Sequence, residues 1–275
     1  MKLKLSSLKN IAWAVAILVC LLALFVALII AAVSPYRGPI ERGGVLLGQK
    51  VEKAPESESD AEVQTGTGEL LQLAESADAG QGYLDGLTFL CDSSLIGLRD
   101  YAILAGGTTT SQVWGSNAGN IPASSLADFQ IRYPAGGTEI SPAEAAQRDK
   151  PSRLVICLGS DGLSGIEEDT FVKGYTALIR QIREASPDTV IIVCSVSSVT
   201  TSYSGSDGLS PVVLATVNNW IRQVAADTGV YYADTASAVN DKANWLLTDY
   251  ASANGKALNS AGLQKVLEYL RTHAI

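Results

Sequence analysis

Asp92 and Ser93 follow an apolar run, Leu87–Cys91, as a nucleophile does when it is presented at the end of a buried strand. A serine hydroxyl is a weak nucleophile at neutral pH and needs a neighbouring base to take its proton. The only histidine in the chain is His273, close to the C-terminus. Three more polar segments follow apolar runs: Gly159-Ser160-Asp161-Gly162, Ser195-Val196-Ser197-Ser198 and Asp234-Thr235. A Gly/Asn-rich loop from Val113 to Asn120 lies between the Ser93 and Ser160 segments, and Asn254-Gly255-Lys256-Ala257 precedes the last helical pattern. The chemistry these residues point to is nucleophilic attack by Ser93. The base is what is missing.

The elements that must hold these segments can be read from periodicity. Leu87–Cys91, Leu154–Leu158, Val190–Cys194 and Val230–Ala233 are apolar on both faces, as strands of a parallel sheet covered by helices should be. Asp169–Ala185 sets Phe171, Tyr175, Leu178, Ile179 and Ile182 on one helical stripe and stops before Pro187. Pro211–Thr228 starts after the cap Ser210 and ends at Gly229, and Ser260–Thr272 starts after the cap Asn259. Alternating strands and helices predict an α/β fold, a three-layer α/β/α sandwich with a mainly parallel sheet. Ligands of such sheets bind at the carboxyl ends of the strands, where the polar segments lie.

In this order the blocks resemble those of the SGNH (GDSL-type) hydrolases: a strand-ending GDS, a loop glycine, a GxND and a late DxxH. The text around Val230–Asp234 and from Leu258 to His273 is similar to membrane-anchored or secreted SGNH proteins of Gram-positive bacteria. The resemblance covers roughly residues 83–274 and implies the flavodoxin-like SGNH hydrolase fold and a serine esterase ancestry. It puts Ser93 at the nucleophile, Gly115 in the oxyanion loop, Asp161 at the oxyanion asparagine, Asn254 at the triad aspartate and Ala257 at the triad histidine. The last three depart from the pattern. An ionised Asp161 cannot donate a hydrogen bond to an oxyanion, and neither Asn254 nor Ala257 can transfer a proton.

Substitutes for the base are few. Lys256 neighbours the lost histidine, and serine–lysine pairs exist. His273 is placed to cap the end of the last helix. Cys91 is a poor alternative nucleophile, because activation needs an electropositive neighbour and Asp92 has the wrong sign. Asp92, Ser160 and the loop residue Trp114 are expected to contact a ligand, whereas Tyr133, Trp220 and Trp245 read as core. Two functions follow: a domain of hydrolase fold that binds cell-wall glycan or acylated carbohydrate, or a working esterase or O-deacetylase acting through Ser93 with a substitute base. A flavodoxin-like cofactor binder ranks last, since no Gly-rich phosphate loop is present. No cofactor and no metal are expected.

At the front of the chain, Ile11 to Val33 is apolar without charge, Gly or Pro. As a helix it would reach about 34 Å, enough to cross a hydrocarbon core of roughly 30 Å. Lys2, Lys4 and Lys9 precede it, which favours an N-in signal anchor in the cell membrane with the domain outside; cleavage after Ala31 or Ala32 is the alternative. The expected organisation is a cytoplasmic tail (1–10), a transmembrane anchor (11–33), a flexible acidic stalk (34–78) and the hydrolase-like domain (79–275). Residues 34–275 hold 17 basic and 28 acidic residues, net −11, a surface that repels nucleic acid. Cys91, Cys157 and Cys194 fall in separate strand patterns and read as core thiols.

Overall fold

The computed structural model describes residues 68–275. The expected tail, the transmembrane anchor and residues 34–67 of the stalk lie outside the described residues. Among the described residues no helix is long and apolar enough to cross a membrane.

In chain order the described strands are β1 (Leu71–Gln72), β2 (Leu87–Cys91), β3 (Val113–Trp114), β4 (Ile131–Arg132), β5 (Glu139–Ile140), β6 (Arg153–Cys157), β7 (Val190–Cys194) and β8 (Tyr231–Ala233). The helices are α1 (Gly80–Asp85), α2 (Gly97–Asp100), α3 (Pro142–Asp149), α4 (Glu168–Ala185), α5 (Pro211–Thr228) and α6 (Ser260–Thr272). Six strands form one sheet in the order β1-β8-β7-β6-β2-β3, and every neighbouring pair is parallel. β4 and β5 form a separate antiparallel ribbon.

Each long element buries the face its sequence offers. β6 and β7 are buried along nearly their whole length, because Leu, Val and Ile fill both sides of each strand. On α4 the stripe Phe171, Tyr175, Leu178, Ile179 and Ile182 is buried, and removing each such side chain from water contributes about 1.5–3 kcal/mol. Ser210 caps α5 by accepting from Val213 N, and Asn259 caps α6 by accepting from Gly262 N. α3, α4 and α5 pack side by side, and α6 packs with α1 and α2, so the sheet is covered by two helical layers.

The topology sets the site. The chain steps outward from β2 to β3, then crosses back past β2 to β6 and continues to β7 and β8. The direction reverses between β2 and β6, whose last residues Cys91 and Cys157 are in register. In open α/β sheets this reversal opens a crevice at the carboxyl ends of the two strands. Ser93 and Asp161 are the polar residues just beyond those ends.

One boundary differs from expectation. The stalk, expected to run to residue 78, meets the sheet earlier: Leu71 and Gln72 pair with Tyr231 and Tyr232, and Leu73 is buried. The short apolar group Leu70-Leu71-Gln72-Leu73 is enough to cover the outer edge of β8, so residues 71–78 belong to the folded domain.

Candidate active site

Ser93 stands at the switch point with its side chain half-buried. Its hydroxyl donates to Asp161 Oδ1 at 2.6 Å, and its backbone N–H donates to Asp161 Oδ2 at 3.1 Å. Oδ2 also accepts from the backbone N–H of Ile121 at 3.3 Å. Asp161 therefore accepts a hydrogen bond from the hydroxyl at the nucleophile position and also from two backbone donors beside it. Both of these N–H groups are therefore engaged and not free for an incoming acyl oxygen.

The loop carrying Asp161 is shaped by two features. Gly159 has φ +114°, and a Cβ there would sit 3.0 Å from the Phe171 ring, so only glycine lets β6 turn into the site. Asp92, fully buried, accepts from Gly159 N at 2.9 Å, Ser160 N at 2.8 Å and Ser94 N at 3.0 Å. Burial pushes the Asp92 carboxyl up from its ordinary value, the charge of Asp161 adds to this, and the donated hydrogen bonds oppose both. Asp92 thus ties the β2 and β6 loops together. The expected ligand contact is corrected: with no exposed surface, its oxygens serve the backbone.

Lys256 reaches the same group. Its Nζ lies 3.6 Å from Asp161 Oδ1 and 3.4 Å from Asp207 Oδ2, between two carboxylates. Burial pulls the Asp207 carboxyl up, but the Tyr203 hydroxyl, the Leu209 N–H and the Lys256 ammonium outweigh it and hold it below its ordinary value.

Asn254 and Ala257 sit beside the cavity without forming a triad. Asn254 Oδ1 accepts from Ser252 Oγ, Lys256 N and Ala257 N at 2.7, 2.9 and 3.0 Å, closing its own turn. Ala257 lines the cavity and has no ionisable group to offer it. His273 stands at the far end of α6, which at 1.5 Å per residue is about 20 Å from the end that starts beside the site. There it stacks on Tyr269, with ring centroids 3.8 Å apart, and its Nδ1 contacts Tyr269 O.

The cavity has a volume of about 260 Å³. Hydroxyls of Ser93, Ser160 and Ser198 line it with Asp161 and Lys256, and Val199, Leu209 and Leu214 supply an apolar side. Ser160 Oγ is 3.4 Å from Ser93 Oγ. Ser198 is 1% exposed, and its hydroxyl has no partner among the described residues. Trp114, expected at the ligand, is fully buried in β3 and belongs to the core; the two-residue strand beside β2 turns the ring inward. Gly115 is absent from the lining of the cavity. It lets the loop pass Ile96, whose Cδ1 would be 2.5 Å from a Cβ, and its carbonyl accepts from Arg132 N.

Two participants were not singled out by sequence reasoning. Ile121 contributes through its backbone, which leaves no mark on residue type. Asp207 sits in a Gly/Ser-rich loop where nothing in the spacing separates it from solvated acids.

A family model described as the GDSL-like Lipase/Acylhydrolase family matches residues 102–262, a span that includes Asp161, Asn254 and Ala257 and begins after Ser93. No curated protein matches the chain. Among solved structures, a Streptococcus pneumonia chain provisionally described as a platelet activating factor is 16% identical with a TM-score of 0.51, covering 68% of this chain and 82% of its own. A provisionally described acylhydrolase from Bacteroides fragilis NCTC 9343 is 15% identical with a TM-score of 0.49, covering 67% of this chain and 83% of its own. A provisionally described lipolytic protein of the G-D-S-L family from Desulfitobacterium hafniense DCB-2 is 18% identical with a TM-score of 0.48, covering 68% of this chain and 98% of its own. These likenesses are of fold. With more than half of its length matched by the family model, the chain belongs to the GDSL-like lipase/acylhydrolase family.

Proposed function

We propose that this chain is a membrane-anchored, extracytoplasmic member of the family that binds cell-wall glycan or an acylated carbohydrate and has lost standard esterase activity. One observation carries the loss of activity: the Asp161 carboxylate accepts from both the hydroxyl and the N–H of Ser93. A group in that position weakens the nucleophile's access to a base and blocks the donors an oxyanion needs. The apolar run 11–33 and the three lysines before it support the anchor. A cavity lined by serines as well as by Val199, Leu209 and Leu214 suits a small acylated polyol.

The position of Lys256 Nζ, 3.6 Å from Asp161 Oδ1, favours a second reading, in which the Asp161–Lys256 pair serves as a substitute base for an active Ser93 esterase or O-deacetylase. One experiment decides between them. Fluorophosphonate labelling and p-nitrophenyl acetate turnover are measured on the full chain in a non-ionic detergent, beside Ser93→Ala, with circular dichroism as the folding control. The binding reading expects no labelling and turnover equal to that of Ser93→Ala. Labelling at Ser93, with turnover that disappears in Ser93→Ala, overturns it in favour of the esterase.

A further inference from the structure

A second cavity, about 480 Å³, is lined by Ser116 and Asn117 of the loop after β3 and by Arg132, Tyr133 and Gly137 of the β4–β5 ribbon and its turn. Its chemistry differs from that of the rest of the domain. The domain surface is acidic, yet the lining holds two arginines, Arg99 and Arg132, and no carboxylate.

Arg132 is fixed at its backbone, where its N–H donates to Gly115 O at 2.9 Å. Its guanidinium makes no hydrogen bond or ion pair among the described residues, although Glu139 is its cross-strand neighbour. The side chain lies over Gly137 instead: a Cβ there would be 3.5 Å from Arg132 Nε. Arg99 donates from Nε to Asp100 Oδ1 at 2.9 Å, which leaves both of its terminal nitrogens without a partner. The Asn117 amide and the Thr108 hydroxyl, also in the lining, have no partner among the described residues. These donors line one cavity, and two of them carry positive charge.

We propose that this cavity is a binding site for an oxyanion, a phosphate or a carboxylate group, held by the Arg132 guanidinium and the terminal N–H groups of Arg99. A planar guanidinium donates two parallel hydrogen bonds to either group, which a point charge cannot do. Asn117 and Thr108 complete the donor set. Ser116 and Asn117 of the cavity's lining belong to the loop whose Ile121 N–H contacts Asp161. The inference stands independently of whether Ser93 is active.

The test is arginine modification by phenylglyoxal on the full chain in a non-ionic detergent, read peptide by peptide by mass spectrometry. Inorganic phosphate, acetate and chloride are compared at constant ionic strength, with thermal unfolding in parallel. Phosphate or acetate is expected to protect Arg132 and Arg99 beyond chloride and to raise the unfolding midpoint. The more effective anion identifies the source as phosphate or carboxylate. Arg132→Gln is expected to weaken the midpoint response about tenfold in anion concentration, the share of one charge-assisted pair, and Arg132→Lys to restore it in part. Lys256→Gln should leave the response unchanged. Protection no greater than in chloride overturns the proposal, as does an unchanged response in Arg132→Gln. A response lost in Lys256→Gln but kept in Arg132→Gln also overturns it and moves the anion to the Ser93 site.

Discussion

Asp161 accepts hydrogen bonds from the hydroxyl of Ser93 at 2.6 Å and from its backbone N–H at 3.1 Å. One carboxylate thus occupies the hydroxyl that a triad base would hold and an N–H that could serve an oxyanion. The acid also fits the place electrostatically, because two backbone N–H groups and the Lys256 ammonium surround it. The departure at 161 and the nearby cation form one arrangement.

If the site has lost its activity as proposed, restoring it should take more than one change. Asp161→Asn alone frees an oxyanion donor without providing a base and should leave p-nitrophenyl acetate turnover at the level of Ser93→Ala. Combined with Asn254→Asp and Ala257→His, it should raise turnover about tenfold or more, since a positioned general base typically contributes about 10²–10⁴-fold. Equal turnover in the single and triple variants, with both folded, would count against this account of the loss.

Asp92 is expected to matter for stability rather than binding. Asp92→Ala leaves the N–H groups of Ser94, Gly159 and Ser160 without an acceptor and should cost about 3 kcal/mol or more in denaturant unfolding. Its pH dependence has a definite sign. Burial raises the folded carboxyl above the ordinary 3.8, so the folded state holds this proton more tightly than the unfolded chain does. Wild-type stability relative to Asp92→Asn should therefore fall as pH rises from 3.8 and level off above the folded value. A difference that grows with pH would contradict this.

Gly159 cannot accept a side chain. Gly159→Ala combines left-handed backbone at φ +114° with a contact 3.0 Å from Phe171, a buried ring that cannot withdraw. It should cost about 2–4 kcal/mol and displace the Ser160–Asp161 loop. Chemical denaturation measures the cost, and a loss below about 1 kcal/mol would show that the turn relaxes cheaply.

The anchor can be tested in a cell. The full chain should stay with membranes through alkaline carbonate extraction, and a chain lacking residues 1–33 should not. A protease added to intact protoplasts should digest the domain and spare the N-terminal residues. A domain protected from that protease would reverse the proposed orientation.

Much of the fold was legible because burial on both faces leaves a mark on composition. β2 and β7, and the helices α5 and α6, run over the residues their apolar patterns and caps mark out. β1 and β3 were not legible: two residues make no pattern, and they join the sheet only because β8 and β2 offer open edges. The roles of Ser93, Asp161, Asn254 and Ala257 were expectations from the family resemblance, and residue type adds that an alanine holds no proton and an ionised aspartate donates none. What each group does instead was decided by tertiary structure. Asp92 turned inward to bind backbone, Trp114 became core, and Asp161 closed on Ser93 with Lys256 behind it. Sequence determines which chemistry each side chain has available. Only the crossing of the chain between β2 and β6 brings residues 68 positions apart within hydrogen-bond distance and settles which of those chemistries are used.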